Sequence, residues 1–198
     1  MHRSKPTAER ILDSAEDAFA EKGYGAASLA EIAASVGISG PGIYKHFESK
    51  RSLYEAVLAR LLDPFFQIIS DEIDDPLAKP EVLQVARTML LHHVDHPNLA
   101  RLVQHAALAG GSQLELLVER WYRPIFQRAQ TRLFDERSGS RLAVESIRTA
   151  LMAFNSMILA YITLAPIHSR ILANDPLSEQ EVARFYDMIC LLSRELRR

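Results

Sequence analysis

Apolar residues recur along this chain at helical spacing almost from its start. Ile11, Ala15, Ala18 and Phe19 share one face of a helix predicted from Thr7, with Pro6 ahead of it and Gly23 at its end. Leu29, Ile32, Ala33 and Val36 repeat the pattern at i, i+3, i+4 and i+7, and Leu53, Val57 and Leu61 do so on a helix opening near Ser49. Pro64 removes an N–H from that helix and predicts a kink, or a restart with Asp63 as cap. DDPLAKP, residues 74–80, reads as a turn. Further helical segments fit 77–94, 97–109, 113–135, 141–165 and 178–196, separated by His96-Pro97, Gly110-Gly111, Ser138-Gly139 and Asn174-Asp175-Pro176. No run alternates with the period of a strand, and no segment repeats, so the pattern predicts an all-α chain.

The stretch SLAEIAASVGISGPGIYKHFESK, Ser28 to Lys50, carries the densest local signals. Ser28 and Glu31 have the S-x-x-E spacing of a capping box for the second helix. Gly37 stands where that helix must stop, a position that favours the left-handed backbone glycine takes at little cost. Ser39 is placed to cap a third helix, with Pro41 in its first turn, where a missing N–H matters least. Ala33 is small where the two helices approach, and Ile43 is a branched apolar anchor for the second of them. Two short helices joined by a glycine-containing turn form a helix-turn-helix, the core of a tri-helical DNA reader.

The run IAASVGISGPGIYKHFESKRSLYEAV closely resembles the DNA-binding signature of the tetracycline-repressor (TetR) family, in which a turn Gly, a capping Ser, a Tyr-x-His-Phe segment and a following Lys recur. The resemblance covers Thr7 to Leu62, about a third of the chain. It implies an amino-terminal three-helix domain over residues 1–51 and a carboxy-terminal helical bundle over 52–198 for ligand binding and dimerisation. By the same resemblance Ser28, Tyr44, His46 and Lys50 lie against phosphates, Gly40, Pro41 and Lys45 face the groove, and Phe47 is core; Ser39, the cap of the reading helix, is counted with the DNA-binding residues. Gly40 stands where a long polar residue is frequent in the family, and Gly42 where a hydroxyl is common. Fewer side chains are left to read bases, so discrimination leans on close backbone approach, Lys45 and DNA shape.

Charge refines this picture. The 198 residues have a formal net charge of −2, which is no signature of a nucleic-acid binder. Residues 1–51 hold seven Lys/Arg (Arg3, Lys5, Arg10, Lys22, Lys45, Lys50, Arg51) and seven acids (Glu9, Asp13, Glu16, Asp17, Glu21, Glu31, Glu48). Most of the acids lie on the first helix. Lys45, Lys50 and Arg51 cluster at the expected contact face, and Arg3 and Lys5 form a short basic arm. The single cysteine, Cys190, excludes an intrachain disulfide and fits a reducing cytosol, where a small buried apolar residue is its expected role. The segment MHRSKPTAER has no apolar signal-peptide core, and a cytoplasmic location is expected.

Thr149 to Ile167, TALMAFNSMILAYITLAPI, has no charge. Asn155, Ser156, Thr163 and Pro166 argue against a membrane span, and a helix apolar all round is accounted for by burial on both faces, one against its own bundle and one against a partner subunit. The last helix, with Val182, Phe185, Met188, Ile189 and Leu192 spaced for burial, completes a four-helix interface with its symmetry mate, and Ile158 and Ile189 are expected in that contact. The family's carboxy-terminal helices pair in this way. A homodimer places two reading heads about one helical turn apart, roughly 34 Å, and so matches a near-palindromic double-stranded operator.

The resemblance also implies an apolar ligand pocket inside the bundle. Trp121, Tyr122, Phe126, Phe154, Asn155, Met157 and Tyr161 supply large apolar surfaces with a few polar tips, the composition of a small-molecule pocket and equally of a core. His92, His93 and His96, with His105 beyond, have the spacing of a metal site, yet no Cys lies nearby and Pro97 sets His96 at a helix end, so no metal or other cofactor is expected. No G-x-S-x-G, H-E-x-x-H, P-loop or glycine-rich dinucleotide turn occurs, and nothing recommends an enzyme. The expectation is a dimeric transcriptional repressor, released from DNA by a small apolar or aromatic effector. The alternative is a helical ligand-binding or scaffold protein that keeps the fold without specific DNA binding.

Overall fold

A computed structural model describes residues 5–74, 82–133 and 141–195, and every regular element among them is helical. In chain order they are α1 (Thr7–Ala26), α2 (Leu29–Ser35), a 3₁₀ helix (Gly40–Lys45), α3 (Lys50–Asp74), α4 (Val82–Asp95), α5 (Pro97–Ala109), α6 (Gly111–Leu117), a π-helical turn (Val118–Tyr122), α7 (Arg123–Leu133), α8 (Arg141–Leu172) and α9 (Glu179–Glu195). Arg3 and the expected break at Ser138-Gly139 lie outside the described residues. So does the expected turn over 74–80, apart from Asp74, which closes α3.

The apolar stripes read from the sequence become one continuous core. Ile11, Ala15 and Phe19 of α1, Ile32 and Ala33 of α2, Ile43 of the 3₁₀ helix and Leu53, Val57, Leu58 and Leu61 of α3 are buried together, and the same cluster runs on through Leu90, Leu99, Leu102, Phe154, Ile158 and Ile189. Residues on both sides of the expected 51/52 division therefore share one interior. α3 links the two halves, and α1 lies along both α3 and α5. Polar contacts reinforce the same seam: Arg60 of α3 donates to Asp13 at 2.7 Å and Glu16 at 2.5 Å, and Asn98 of α5 donates to Glu16 and Asp17.

Several local expectations are corrected. Gly23 does end the first helical run, its φ of +74° and ψ of 165° breaking the path, but a short second run continues to Ala26. The Ser28–Glu31 capping box does not form, because Ser28 makes no side-chain cap bond and Glu31 is drawn to Lys22 at 2.7 Å. Pro64 neither stops nor restarts α3. The carboxylate of Asp63 accepts from the indole N–H of Trp121 at 2.6 Å instead of capping. The helix expected over 113–135 is divided by the π-helical turn, and the one expected to end at 165 continues through Pro166 to Leu172.

The side on which α8 and α9 bury their apolar residues also differs from expectation. Ile158 and Ile189 are fully enclosed within the protomer, so they belong to its own core and not to a subunit contact. The apolar side chains left exposed are Met152, Leu164, Ile167, Ile171 and Leu172 on α8 and Met188, Leu191 and Leu192 on α9. Over Thr149–Ile167 no charged residue marks the outward face of α8. The observed division leaves two adjacent helices with an uncovered apolar side.

Gly23 makes a testable case. Its backbone lies in a region that is nearly glycine-only, and a β-carbon there would come within 3.1 Å of His105 Nδ1. Gly23→Ala is expected to destabilise the protein by about 1–3 kcal/mol, read as a lowered urea midpoint with an unchanged slope. An unaltered midpoint would mean that α1 straightens at no cost.

Candidate nucleic-acid interface

The turn between α2 and the 3₁₀ helix is fixed by backbone chemistry. Gly37, at φ +75°, sends its N–H to the Ala34 carbonyl at 3.0 Å while Ile38 N–H reaches the Ala33 carbonyl at 3.0 Å, a Schellman motif that satisfies the last carbonyls of α2. Arg10 donates to the Val36 carbonyl and ties α1 to this corner. Ser14 and Ser35 hydroxyls, 2.5 Å apart, add a second link.

The expected reading helix is a 3₁₀ helix of one hexapeptide, GPGIYK. Two glycines and a proline in six residues supply poor α-helix formers and one missing donor, so the segment winds tightly with i→i+3 bonds: Gly42 N–H to Ser39 O at 2.8 Å and His46 N–H to Ile43 O at 3.0 Å. Ser39 caps it as expected, its Oγ accepting from Gly42 N–H at 3.2 Å. Ile43 is buried and anchors the turn, and Phe47 packs partly buried against the same core.

The two glycines of this element differ in their surroundings. A β-carbon on Gly42 would stand 3.1 Å from Ser39 Oγ and in van der Waals contact with Ile38, whereas one on Gly40 would meet nothing within 4 Å. Gly42 thus keeps the cap intact, and Gly40 faces open space beside Pro41. Tyr44 (57% exposed), Lys45 and His46 project outward in succession and form the side-chain surface of the element.

Ser28 and Lys50 flank it. Ser28 is half-buried at the start of α2. Lys50, the first residue of α3, donates from Nζ to the Gly25 carbonyl at 3.1 Å and lies 4.8 Å from the centre of the Tyr24 ring. Partial burial holds its pKa below the usual lysine value. Lys5, the basic arm residue among those described, pairs with Asp13 at 2.9 Å. That hydrogen bond, with Arg60 behind it, holds the Asp13 carboxyl below the usual range. Arg10, which braces the head internally, and Arg60 and Asn98, which set it against the bundle, escape sequence reasoning, since their partners lie 26, 47 and 82 residues away and leave no local pattern.

This capped, glycine-turned pair of short helices over a buried Ile43 coincides with a known sequence family: the description "Bacterial regulatory proteins, tetR family" matches residues 11–57. The amino-terminal segment of the chain is thus similar to the tetR family. Among relatives, the HTH-type transcriptional regulator SAR2658 of Staphylococcus aureus is 31% identical over 124 residues, covering 62% of this chain and 65% of that protein. The HTH-type transcriptional activator FasR of Mycolicibacterium smegmatis is 32% identical over 87 residues, 44% of this chain and 40% of that one, and the HTH-type transcriptional repressor BepR of Brucella suis is 31% identical over 113 residues, 55% and 45%. The chain thus spans between two fifths and two thirds of the length of these curated relatives. The likeness in fold extends further. A TetR-family transcriptional regulator from Bordetella parapertussis superposes with a TM-score of 0.70 over 93% of this chain and 92% of that one at 16% identity, and the putative regulator SCO4942 from Streptomyces coelicolor gives 0.65 over 93% and 96% at 20%.

The residues expected around a ligand are spread across the bundle. Trp121 is buried in the π-helical turn, with the Arg120 guanidinium 4.7 Å from its ring centre and its N–H on Asp63. It borders an open cleft of about 330 Å³ together with Phe66, Ile125 and Arg128, and is the one expected ligand residue in that lining. Tyr122 meets Phe66 edge-on at 5.5 Å, and Phe126 is 37% exposed on α7. Phe154 is core and Met157 packs against the core. Tyr161 stacks on Phe185 at 4.0 Å and donates to the Pro176 carbonyl, while the Asn155 side-chain oxygen is buried with no hydrogen-bond partner.

The histidines are packing groups. His92 stacks on Phe65 at 4.7 Å and its Nε2–H donates to the Leu61 carbonyl at 2.9 Å, while His93 is buried edge-on to Phe65 at 5.7 Å. Among the described residues no cluster of His, Cys, Asp and Glu is arranged to hold a metal ion, and no described helix is long and apolar enough to cross a membrane.

Proposed function

We propose that the protein is a dimeric, DNA-binding transcriptional repressor whose operator affinity is set by a small apolar or aromatic effector. The observation that carries the reading is the capped 3₁₀ element. It holds Tyr44, Lys45 and His46 outward on a buried Ile43 anchor, with Lys50 and Ser28 on either side, an arrangement suited to lying in a major groove between two phosphate tracks. The uncovered apolar sides of α8 and α9 support pairing of two copies, which would present two such elements to a near-palindromic site. Repressors and an activator both occur among the relatives, and repression is the reading adopted for this chain, located in the cytoplasm.

A mobility-shift titration against the DNA upstream of the protein's own gene, at several salt concentrations, tests it. Lys50→Ala is expected to weaken binding about equally for every sequence and to reduce the magnitude of the salt slope by about one unit for each phosphate that a subunit no longer neutralises. Lys45→Ala is expected to change sequence preference, by about 1–3 kcal/mol at a contacted base pair. A wild-type protein that binds all duplexes alike, with no preference at any salt, would leave the helical scaffold reading in its place.

A further inference from the structure

Lys50 stands where a cation is unfavourable. It is the first residue of α3, at the positive end of that helix's dipole, it is half-buried, and no carboxylate pairs with it among the described residues. What holds it belongs to the end of α1. Its Nζ donates to the Gly25 carbonyl at 3.1 Å, one of the last carbonyls of α1, which lack donors within their own helix, and the same nitrogen lies 4.8 Å from the centre of the Tyr24 ring. Tyr24 is fixed in turn by two buried rings: Phe19 stacks on it at 6.0 Å and Tyr54 meets it edge-on at 5.0 Å. The break in the backbone at Gly23 comes immediately before it. The Tyr24 hydroxyl makes no hydrogen bond among the described residues, so the ring is the part of this side chain that acts on Lys50.

A lysine side chain surrenders much of its rotamer freedom when it reaches a phosphate. One already drawn against a ring and a carbonyl has surrendered most of it before DNA arrives. The ammonium has three N–H donors and Gly25 takes one, which leaves donors for a phosphate oxygen. We propose that Tyr24 is a positioning residue for DNA binding: its ring, seated on Phe19 and Tyr54, preorders the Lys50 ammonium for a backbone phosphate without having to touch the DNA itself. This rests on the phosphate contact proposed for Lys50 and names the side chain that sets it. If Tyr24 served packing alone, its loss would weaken DNA binding whether or not Lys50 were present; if it sequestered Lys50, its loss would tighten binding.

A double-mutant cycle on the full chain separates these cases, with affinity for the DNA upstream of the protein's own gene measured at several salt concentrations. Tyr24→Leu is expected to weaken binding about two- to fivefold for each head on the DNA and to leave the salt slope as in wild type, because the ammonium still reaches its phosphate once ordered. Tyr24→Phe, which keeps the ring, should match wild type. In a Lys50→Ala background Tyr24→Leu should cost nothing further. A Tyr24→Leu loss that persists undiminished without Lys50 overturns the inference, as do an unchanged or tighter affinity and a Tyr24→Phe variant as weak as Tyr24→Leu. Lys50→Ala with wild-type affinity and slope would instead remove the phosphate contact itself, and the inference with it. One measurement needs no variant of Tyr24: in the wild type without DNA, the ε-methylene protons of Lys50 should resonate upfield of an ordinary lysine, shielded by the ring face. Unshifted protons overturn the proposal even where Tyr24→Leu fails to fold.

Discussion

Ile158→Asp is expected to unfold the protomer, whereas Ile167→Asp or Leu191→Asp leaves a folded chain that no longer pairs. Ile158 has no exposed surface and lies in the cluster with Phe154 and Ile162. A carboxylate there has neither water nor a cation, and the loss of about 3–5 kcal/mol approaches the entire stability of an ordinary domain. Ile167 and Leu191 are each more than half exposed in the single chain, so a charge at either costs little until a second copy covers it. Melting followed by circular dichroism should show Ile158→Asp without a cooperative transition and the other two close to wild type. Sedimentation velocity should then find the latter two as monomers, with operator binding lost alongside the dimer. Dimers that persist in both exposed-face variants would place the subunit interface away from α8 and α9.

Acidification from pH 7 toward pH 4 is expected to remove roughly 3 kcal/mol of stability through His93 alone. Burial lowers its pKa from 6.5 to about 4, against a smaller opposing effect of the Met89 carbonyl, and the neighbouring His92 and His96 push it the same way as burial. Above pH 6.5 the ring is neutral in both folded and unfolded chains. Between 6.5 and about 4 the unfolded chain takes up a proton that the folded chain cannot, so stability is full at neutral pH and falls as the pH drops through that window. His92, also lowered by burial, adds to the fall in the same direction, and Asp13, whose carboxyl is held down by Lys5 and Arg60, contributes at still lower pH. The difference between wild type and His93→Leu isolates the one group. Urea denaturation at pH 7, 5.5 and 4.5 should give a markedly flatter pH dependence for the variant, and parallel curves would show that the folded protein accommodates a charged His93.

Legible in the sequence is whatever depends on near neighbours. Gly37 and Val36 fix a helix end by their own backbone geometry, Ser39 caps over three residues, and Ile11, Ile32 and Leu53 reveal their inward faces because polar residues mark the other side. Glu31 defeats a local reading because its competitor for the Ser28 cap, Lys22, belongs to a different helix and approaches only in the folded chain. Ile158 falls on the opposite side from the one expected because α8 has no charged residue over Thr149–Ile167 to mark its outward face, and apolar residues such as Met152 and Leu164 stand on that face too. The alanine-free, glycine-rich GPGIYK does carry a warning against an α-helix. By contrast, the π-helical turn at Val118–Tyr122 has no local signature, and neither does the buried His93 Nε2, which meets no partner, since three histidines in five residues look the same whether they bind a metal, cap a helix or fill a core.

The unequal surroundings of Gly40 and Gly42 bear on how such a protein changes its target. A newly acquired side chain at position 40 meets nothing in the protein, so if the 3₁₀ element lies on DNA as proposed, mutation there is filtered by promoter choice alone. At position 42 a side chain comes within 3.1 Å of Ser39 Oγ, so the cap must give by a few tenths of an ångström and selection for folding bears on the change as well as selection for target. Divergence of regulatory circuits among close descendants of this chain is therefore channelled through one site of the pair, and duplicated copies could part company in their operators by a single substitution without passing through an unstable intermediate.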